Sequence, residues 1–85
     1  MSELDDQFQQ ATQGASQLSV DPGNDAKLTL YALYKQATSG DVGGQKPGRF
    51  DMVGRAKYDA REKVKGLSLD DAKQAYIDFV KGLGG

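Results

Sequence analysis

The sequence predicts an all-α fold made of four helices, with two short connections and one long connection between helices 2 and 3. Apolar residues recur at steps of three and four along four segments, which is the spacing of one helix face. Residues that cap helices stand before these segments. No segment alternates apolar and polar residues for long enough to indicate a strand. With 85 residues, the chain predicts one domain spanning 1–85 with a single core.

The first helix is predicted from about Glu3 to Gln17. Ser2 and Asp5, three residues apart, have the form of a capping box. The apolar residues that follow have helical spacing, namely Leu4, Phe8, Ala11, Ala15 and Leu18. This segment is therefore expected to be an amphipathic helix.

The second helix is predicted from about Asn24 to Ser39, with Asn24 or Asp25 as its cap and Gly40 directly after its end. Its leucines, tyrosines and alanines wrap around more than one side. Such a helix is either central in a bundle or holds a ligand on one face and core on the other.

The long connection, residues 41–52, is rich in glycine. A loop of this length is usually functional or mobile, and it is equally compatible with a plain crossover between helices. Phe50 is expected to pin the loop to the core.

The third helix is predicted after a cap at Asp51, ending near Lys65, and the fourth after a capping box of Ser68 and Asp71, ending near Gly82. The inner face of the third helix is predicted to carry Val53, Ala56, Ala60 and Val64. That of the fourth is predicted to carry Leu69, Ala72, Tyr76, Phe79, Val80 and Leu83.

Composition excludes several classes of function. A net charge of -1, from 11 basic and 12 acidic residues, argues against a protein that binds long nucleic acids. With no cysteine and no histidine, the usual metal ligands and the usual general base are missing, so neither a metal site nor catalytic residues are expected. Asp70 and Asp71 lie at a helix start, where capping explains them. The chain has neither a secretory signal nor about 20 consecutive apolar residues, which predicts a cytoplasmic protein without stable membrane insertion.

Tyr31, Tyr34 and Lys35 stand at i, i+3 and i+4 of the second helix, so two phenols and an ammonium share one face. Rings stack on flat bases, and a lysine suits a phosphate, which makes this face a candidate for nucleotide recognition. The alternative is that the tyrosines are core and the lysine reaches solvent. Lys57, beside the inner face of the third helix, has the same two interpretations.

The segment from Tyr31 to Lys57 resembles the acyl-CoA-binding protein family. The motif that carries the resemblance is YALYKQATSGD, residues 31–41, followed by PG at 47–48, an aspartate at 51 and GRAK at 54–57. The similarity extends over the whole chain, including Phe8 and AYIDFV at 75–80.

The resemblance implies an up-down-down-up four-helix bundle that binds long-chain fatty acyl-CoA esters without catalysis. Such a protein is a monomeric carrier and pool former that needs no cofactor and touches acyl-CoA-producing or acyl-CoA-consuming enzymes transiently. The resemblance further implies that Tyr31, Lys35 and Lys57 hold the ribose 3′-phosphate and that Tyr34 stacks on adenine. By the same resemblance, Tyr76 contacts the CoA head group. The residues implied along the acyl chain are Phe8, Ala11 and Leu28.

The chain departs from the family where Ser16 replaces a common lysine and Arg61 a common aromatic residue, which affects expected affinity more than ligand class. Tyr58 keeps the ring at another position that is commonly tryptophan. The alternative function is a small helical protein-interaction module without a lipid ligand, and the GLGG end at 82–85 suggests one version of it, a ubiquitin-like modifier. The helix pattern contradicts that version.

Overall fold

The computed structural model describes residues 2–84 and confirms an all-α fold. Its helices are α1 (Glu3–Ser16), α2 (Asn24–Ser39), α3 (Met52–Lys63) and α4 (Leu69–Gly82), and these described residues contain no strand. α1 ends one residue before its predicted end, and α3 ends two residues before its predicted end. Within the same residues, no helix combines the length and the apolar character needed to cross a bilayer.

Three of the helix starts are capped as predicted. The hydroxyl of Ser2 accepts a hydrogen bond from the amide of Asp5 at 3.1 Å, and the hydroxyl of Ser68 accepts one from the amide of Asp71 at 3.0 Å. The carboxylate of Asp51 accepts one from a backbone amide of α3 at 3.0 Å. Each cap satisfies an amide that has no partner within its own helix.

The predicted cap of α2 is wrong. Gly23, with φ of 93°, precedes the helix, and no side chain caps it. Asp21 instead accepts a hydrogen bond from the amide of Gly23 at 2.8 Å and pairs with Lys27 at 3.1 Å. Because the positive φ of Gly23 already turns the chain, Asn24 is the first helical residue and its side chain is not a cap.

The helices pack in the spatial order α1, α4, α2, α3, since α4 contacts both α1 and α2 while α3 contacts α2 alone. The core lies among α1, α2 and α4. It consists of Phe8, Leu33, Ala37, Ala72, Tyr76, Ile77 and Val80. No residue of α3 is buried, so α3 is an outer wall, and the molecule is a flat body of 38 × 29 × 15 Å.

Two predictions about apolar residues near the start of α3 are wrong. Phe50 does not pin the loop to the core, because 91% of it is exposed. Val53 is not on an inner face, since it is 67% exposed. The first turn of α3 stands away from the start of α2, and the open cleft of about 350 Å³ between them is lined by Leu28, Val53 and Ala56. Further along the helix Ala56, Ala60 and Val64 are half-buried, as expected for an inner face.

A buried glutamine joins the end of α2 to the connection between α3 and α4. Gln36 is fully buried, and its amide nitrogen donates to a carboxylate oxygen of Asp41 at 2.7 Å and to the carbonyl of Leu67 at 2.8 Å. The same oxygen of Asp41 accepts a hydrogen bond from the amide of Gly66 at 2.8 Å. The Gly66 amide, followed by Gln36, lowers the pKa of Asp41. Gln36 and Asp41, in the QATSGD segment, therefore also fix the end of α2 to the connection between α3 and α4, a structural role that the sequence did not predict.

Candidate ligand-binding site

Three aromatic rings, each from a different helix, meet where α1, α2 and α4 pack together. The rings of Phe8 and Tyr34 are stacked, with centres 5.8 Å apart and planes at 22°. Tyr76 meets Phe8 edge-on at 5.2 Å and lies 6.4 Å from Tyr34. The fold thus brings together three predicted site residues that lie far apart in the sequence.

The two tyrosines of this cluster differ in exposure. Tyr76 is buried at 5% exposure, whereas Tyr34 remains 42% exposed. A cleft of about 620 Å³ between α1 and α2 is lined by Phe8, Tyr34 and several polar residues. Tyr34 therefore has a packed side against Phe8 and an accessible part that a flat ligand group can contact.

Burial reinforces the neutral form of Tyr76. Desolvation, followed by the neighbouring Tyr34, raises the pKa of its phenol above the ordinary value. Tyr76 therefore remains neutral at physiological pH and can donate a hydrogen bond, but it is no base.

A second group of site residues lies between α2 and α3. The ammonium nitrogen of Lys57 stands 5.3 Å from the centre of the Tyr31 ring, a cation–π distance. Lys35, one helical turn after Tyr31, is half-buried. Across residues 2–84 neither Lys35 nor Lys57 is in an ion pair, whereas Lys46 and Lys73 pair with aspartates. The Lys57 ammonium beside the Tyr31 ring, and Lys35 one turn further along α2, are thus available to an anionic ligand.

Leu28 belongs to the same side of α2 and lines the cleft between α2 and α3. A cleft of about 570 Å³ separates α2 from α3, and Leu28, Ala32 and Ala60 contribute apolar walls to it. Leu28 also lines the smaller cleft at the start of α3. Aliphatic walls of this kind suit a hydrocarbon chain.

Ala11 lies one helical turn after Phe8 and packs against the core cluster that contains Phe8 and Tyr76. It lines a separate cleft of about 260 Å³ between α1 and α4, beside Ile77 and Val80. Its predicted place along an acyl chain stays a prediction.

The residues at which the chain departs from the family have structural partners. A guanidinium nitrogen of Arg61 donates to the carbonyl of Gly40 at 3.1 Å, and the hydroxyl of Tyr58 donates to the carbonyl of Gly44 at 3.3 Å. Both side chains hold the connection between α2 and α3. Ser16 is exposed and donates to the carbonyl of Gln13 at 2.8 Å, so it adds no cation to the site.

The site therefore combines stacked rings, two lysines without an ion pair in the described part of the chain, and an aliphatic cleft on neighbouring helices. The sequence contains no histidine and no cysteine, and residues 2–84 contain no group of acidic side chains able to hold a metal ion. These features define a helical ligand-binding protein whose ligand carries an aromatic group, negative charge and an apolar part.

Comparison with known proteins identifies the class further. Residues 5–80 match the family described as "Acyl CoA binding protein", and the chain belongs to this family. It is 46% identical over 76 residues to acyl-CoA-binding protein homolog 1 of Caenorhabditis elegans, covering 89% of this chain and 88% of that protein. It is 45% identical over 80 residues to the Drosophila melanogaster homolog, covering 94% of this chain and 93% of that protein.

The chain also resembles part of a longer protein. It is 47% identical over 76 residues to enoyl-CoA delta isomerase 2 of Rattus norvegicus, covering 89% of this chain but only 19% of that protein. The isomerase name thus describes a protein of which the matched part is a small share.

Solved structures of the family share the fold. The crystal structure of Oryza sativa acyl-CoA-binding protein 2 matches with a TM-score of 0.88 and 41% identity, covering 94% of this chain and 89% of that one. The protein from Moniliophthora perniciosa matches with a TM-score of 0.85 and 36% identity, covering 98% of this chain and 80% of that one. The four-helix fold and the family resemblance are therefore confirmed. Because this is a non-enzymatic binding family, the expectation that the chain is not an enzyme is confirmed as well.

Proposed function

We propose that this chain binds fatty acyl-CoA esters without converting them, and that it acts as an intracellular carrier and pool former for the long-chain esters. Family membership supports the ligand class. One contact supports assigning the ligand to this site: the ammonium of Lys57 lies against the ring of Tyr31. Tyr31 is one helical turn before Lys35, on the same side of α2 as Leu28.

The ribose 3′-phosphate is assigned to Tyr31, Lys35 and Lys57. Two ammonium groups and a phenol supply the donors that a phosphate needs, and neither lysine makes an ion pair within residues 2–84, which leaves their charge available. Each charge-assisted hydrogen bond of this kind contributes about 1.5 to 3 kcal/mol. The phosphate contacts would distinguish CoA esters from free fatty acids and from dephospho-CoA esters.

The adenine is assigned to Tyr34, whose exposed part can stack on a base while Phe8 supports its other side. Tyr76, a neutral phenol whose pKa is raised by burial, is assigned a hydrogen bond to the head group. Because these rings already pack against each other, little side-chain freedom is lost when a base binds.

The acyl chain is assigned to the apolar walls that Leu28 shares with α3. Phe8 and Ala11 line other clefts, and they are proposed as further contacts of the acyl chain on the family resemblance alone. Each buried methylene contributes at most about 0.8 kcal/mol, so two extra carbons tighten binding up to roughly tenfold until the cleft ends. The acyl chain would then supply most of the affinity, and the head group most of the specificity.

The wider setting is proposed on the same basis. Residues 1–85 form one binding domain that acts as a monomer in the cytoplasm, with no cofactor, no nucleic acid and no metal. Enzymes that make or use acyl-CoA are its transient partners.

The test is a calorimetric titration of the protein with palmitoyl-CoA, with CoA and palmitate as controls. We expect tight one-to-one binding of the ester alone. Lys35→Ala should weaken it at least about tenfold, the value of one lost charge-assisted hydrogen bond. The matched control is Lys65→Ala, which removes an exposed lysine just beyond the end of α3. An ester that does not bind, or an equal effect of both substitutions, would contradict the proposal and favour a protein-interaction module.

A further inference from the structure

The cations of α3 fall on two sides of the helix. They are Arg55, Lys57, Arg61 and Lys63. Asp59 pairs with Lys46 at 2.8 Å, and this contact is the main cause of the lowered pKa of its carboxyl. The charges of Arg55 and Lys63 add to the effect, so both of these cations lie near a carboxylate. Their charge is therefore partly offset on their own side of α3.

Lys57 and Arg61, one helical turn apart, form the other pair. The ammonium of Lys57 lies 5.3 Å from the centre of the Tyr31 ring on α2. A guanidinium nitrogen of Arg61 donates to the carbonyl of Gly40, directly after α2, at 3.1 Å. Both side chains therefore reach toward α2, where Lys35 lies between Tyr31 and Gly40 along the helix.

Helix geometry places these cations along one seam between α2 and α3. Because Lys57 meets Tyr31 and Arg61 meets Gly40, the two helices run in the same direction here. Arg61 follows Lys57 by about 6 Å along the axis of α3, and Gly40 follows Lys35 by about 7.5 Å along that of α2. The guanidinium of Arg61 is thus on the order of 10 Å from the proposed position of the 3′-phosphate.

The charge of Arg61 is not offset within residues 2–84. Arg61 is in no ion pair there, and its buried Nε–H has no hydrogen-bond partner among those residues. The carboxylate nearest to it in the connection is Asp41, whose pKa is lowered first by the amide of Gly66. The cation that adds to this effect is Lys65, and Arg61 does not contribute.

We infer that Arg61 is a third cation of the phosphate site and strengthens the preference of this chain for CoA esters over 3′-dephospho-CoA esters. Lys35 and Lys57 make the contacts, and Arg61 acts on the phosphate through its charge. This inference rests on the proposed function, because it concerns the phosphate assigned to that site. The hydrogen bond of Arg61 to Gly40 is a separate, structural role that needs a donor but no charge.

Salt distinguishes a charge that acts over this distance from a contact. The screening length is about 10 Å at 0.1 M salt and about 3 Å at 1 M. The contribution of Arg61 should therefore be largest at low ionic strength and disappear at high ionic strength, where direct hydrogen bonds from Lys35 and Lys57 persist.

The test is calorimetric titration with palmitoyl-CoA and with its 3′-dephospho analogue, at about 0.03 M and about 1 M salt. For Arg61→Gln we expect the preference for the phosphorylated ester to fall about threefold or more at the lower salt and to stay unchanged at the higher. Arg61→Lys keeps the charge and should retain the preference of wild type within about twofold. An unchanged preference in Arg61→Gln, or an equal fall in Arg61→Lys, would overturn the inference.

The matched control is Arg55→Gln, which removes an arginine from the other side of the same helix. Its preference should stay within about twofold of wild type, since the site lies beyond the screening length. An equal fall in Arg55→Gln and Arg61→Gln would show that only the net charge of the protein matters, which contradicts a role of Arg61 in the site.

The ratio of the two dissociation constants separates this role from a loss of folding. A partly unfolded variant loses affinity for both esters alike, so its preference is unaffected. The ratio also separates this inference from the proposed function. Wild type that binds neither ester would refute both, whereas tight binding of the ester with a preference that Arg61→Gln leaves intact would refute this inference alone.

Discussion

The ammonium nitrogen of Lys57 lies 5.3 Å from the centre of the Tyr31 ring, although the two residues belong to helices that a long connection separates. A cation–π contact at an exposed position contributes only about 0.5 to 1 kcal/mol. It is thus weak enough for Lys57 to turn toward a phosphate and strong enough to keep the ammonium near Tyr31 and Lys35.

Lys57→Ala should weaken the binding of an acyl-CoA ester by about 1.5 to 3 kcal/mol, or roughly ten- to a hundredfold, because one charge-assisted hydrogen bond is lost. Calorimetry with the ester of 3′-dephospho-CoA is the internal check, since this ligand should bind wild type and variant alike. Lys65→Ala, just beyond α3, serves as the control. An equal loss for both esters would contradict the phosphate assignment.

Tyr34→Phe should change affinity little, while Tyr34→Ala should weaken it by about 1 to 3 kcal/mol, the usual value of one stacked base. The reason is that the phenyl ring can still stack between Phe8 and an adenine, whereas alanine cannot. Titration of both variants measures the difference. Thermal unfolding without ligand must accompany it, because alanine also removes the contact with Phe8 at 5.8 Å. Equal affinities of the two variants would argue against stacking.

Gln36→Leu should lower the free energy of unfolding by about 1 to 3 kcal/mol, because the leucine fits the space but leaves the Leu67 carbonyl without the Gln36 donor and Asp41 with the Gly66 amide alone. Urea denaturation of the variant and of wild type measures this difference in the free energy of unfolding. The matched control is Gln74→Leu, an exposed glutamine bonded to Asp78, whose effect should stay within about 0.5 kcal/mol. A variant as stable as wild type would show that the hydrogen bonds of Gln36 contribute nothing to the free energy of unfolding.

Asp41 should make the stability depend on acid pH. Hydrogen bonds from the Gly66 amide and Gln36 hold its folded-state pKa below the ordinary value. Its contribution is therefore present above the unfolded-state pKa of about 3.9 and is lost as pH falls through the folded-state pKa. Asp41→Asn should destabilise the protein at pH about 7 and lose less stability on acidification.

Unfolding of the Asp41→Asn variant and wild type across this pH range provides the measurement, with Glu62→Gln as an exposed control from α3. Stability curves for Asp41→Asn and wild type that run parallel down to the lowest pH would rule out this linkage.

The helices could be predicted from the sequence because their signals are local. Ser2, Asp51 and Ser68 lie within three residues of the amides they cap, so the order of residues alone predicts those hydrogen bonds. The common face of Tyr31 and Lys35 follows in the same way from 3.6 residues per turn. Local geometry also accounts for the boundaries of α2, which agree with the prediction at both ends.

Features that depend on distant packing could not be predicted in this way. Phe50 is apolar, but its exposure depends on where a loop without periodicity leaves it relative to α2. Gln36 is polar, yet it is fully buried because Leu67 and Asp41 satisfy its amide nitrogen from outside α2. The sequence contains a weak signal for these hydrogen bonds, namely the side-chain amide of Gln36 before, and the carboxylate of Asp41 after, the Gly40 that ends α2.

By itself, the sequence determined the four helices, the shared face of Tyr31 and Lys35 on α2 and the family to which the chain belongs, because each follows from residue types at short spacing. The tertiary structure alone decided that Phe8, Tyr34 and Tyr76 meet in one cluster, that Lys57 reaches Tyr31, and that Ala11 lies in a different cleft. These contacts join helices far apart in the chain, and their geometry depends on how side chains from all of them share one small core.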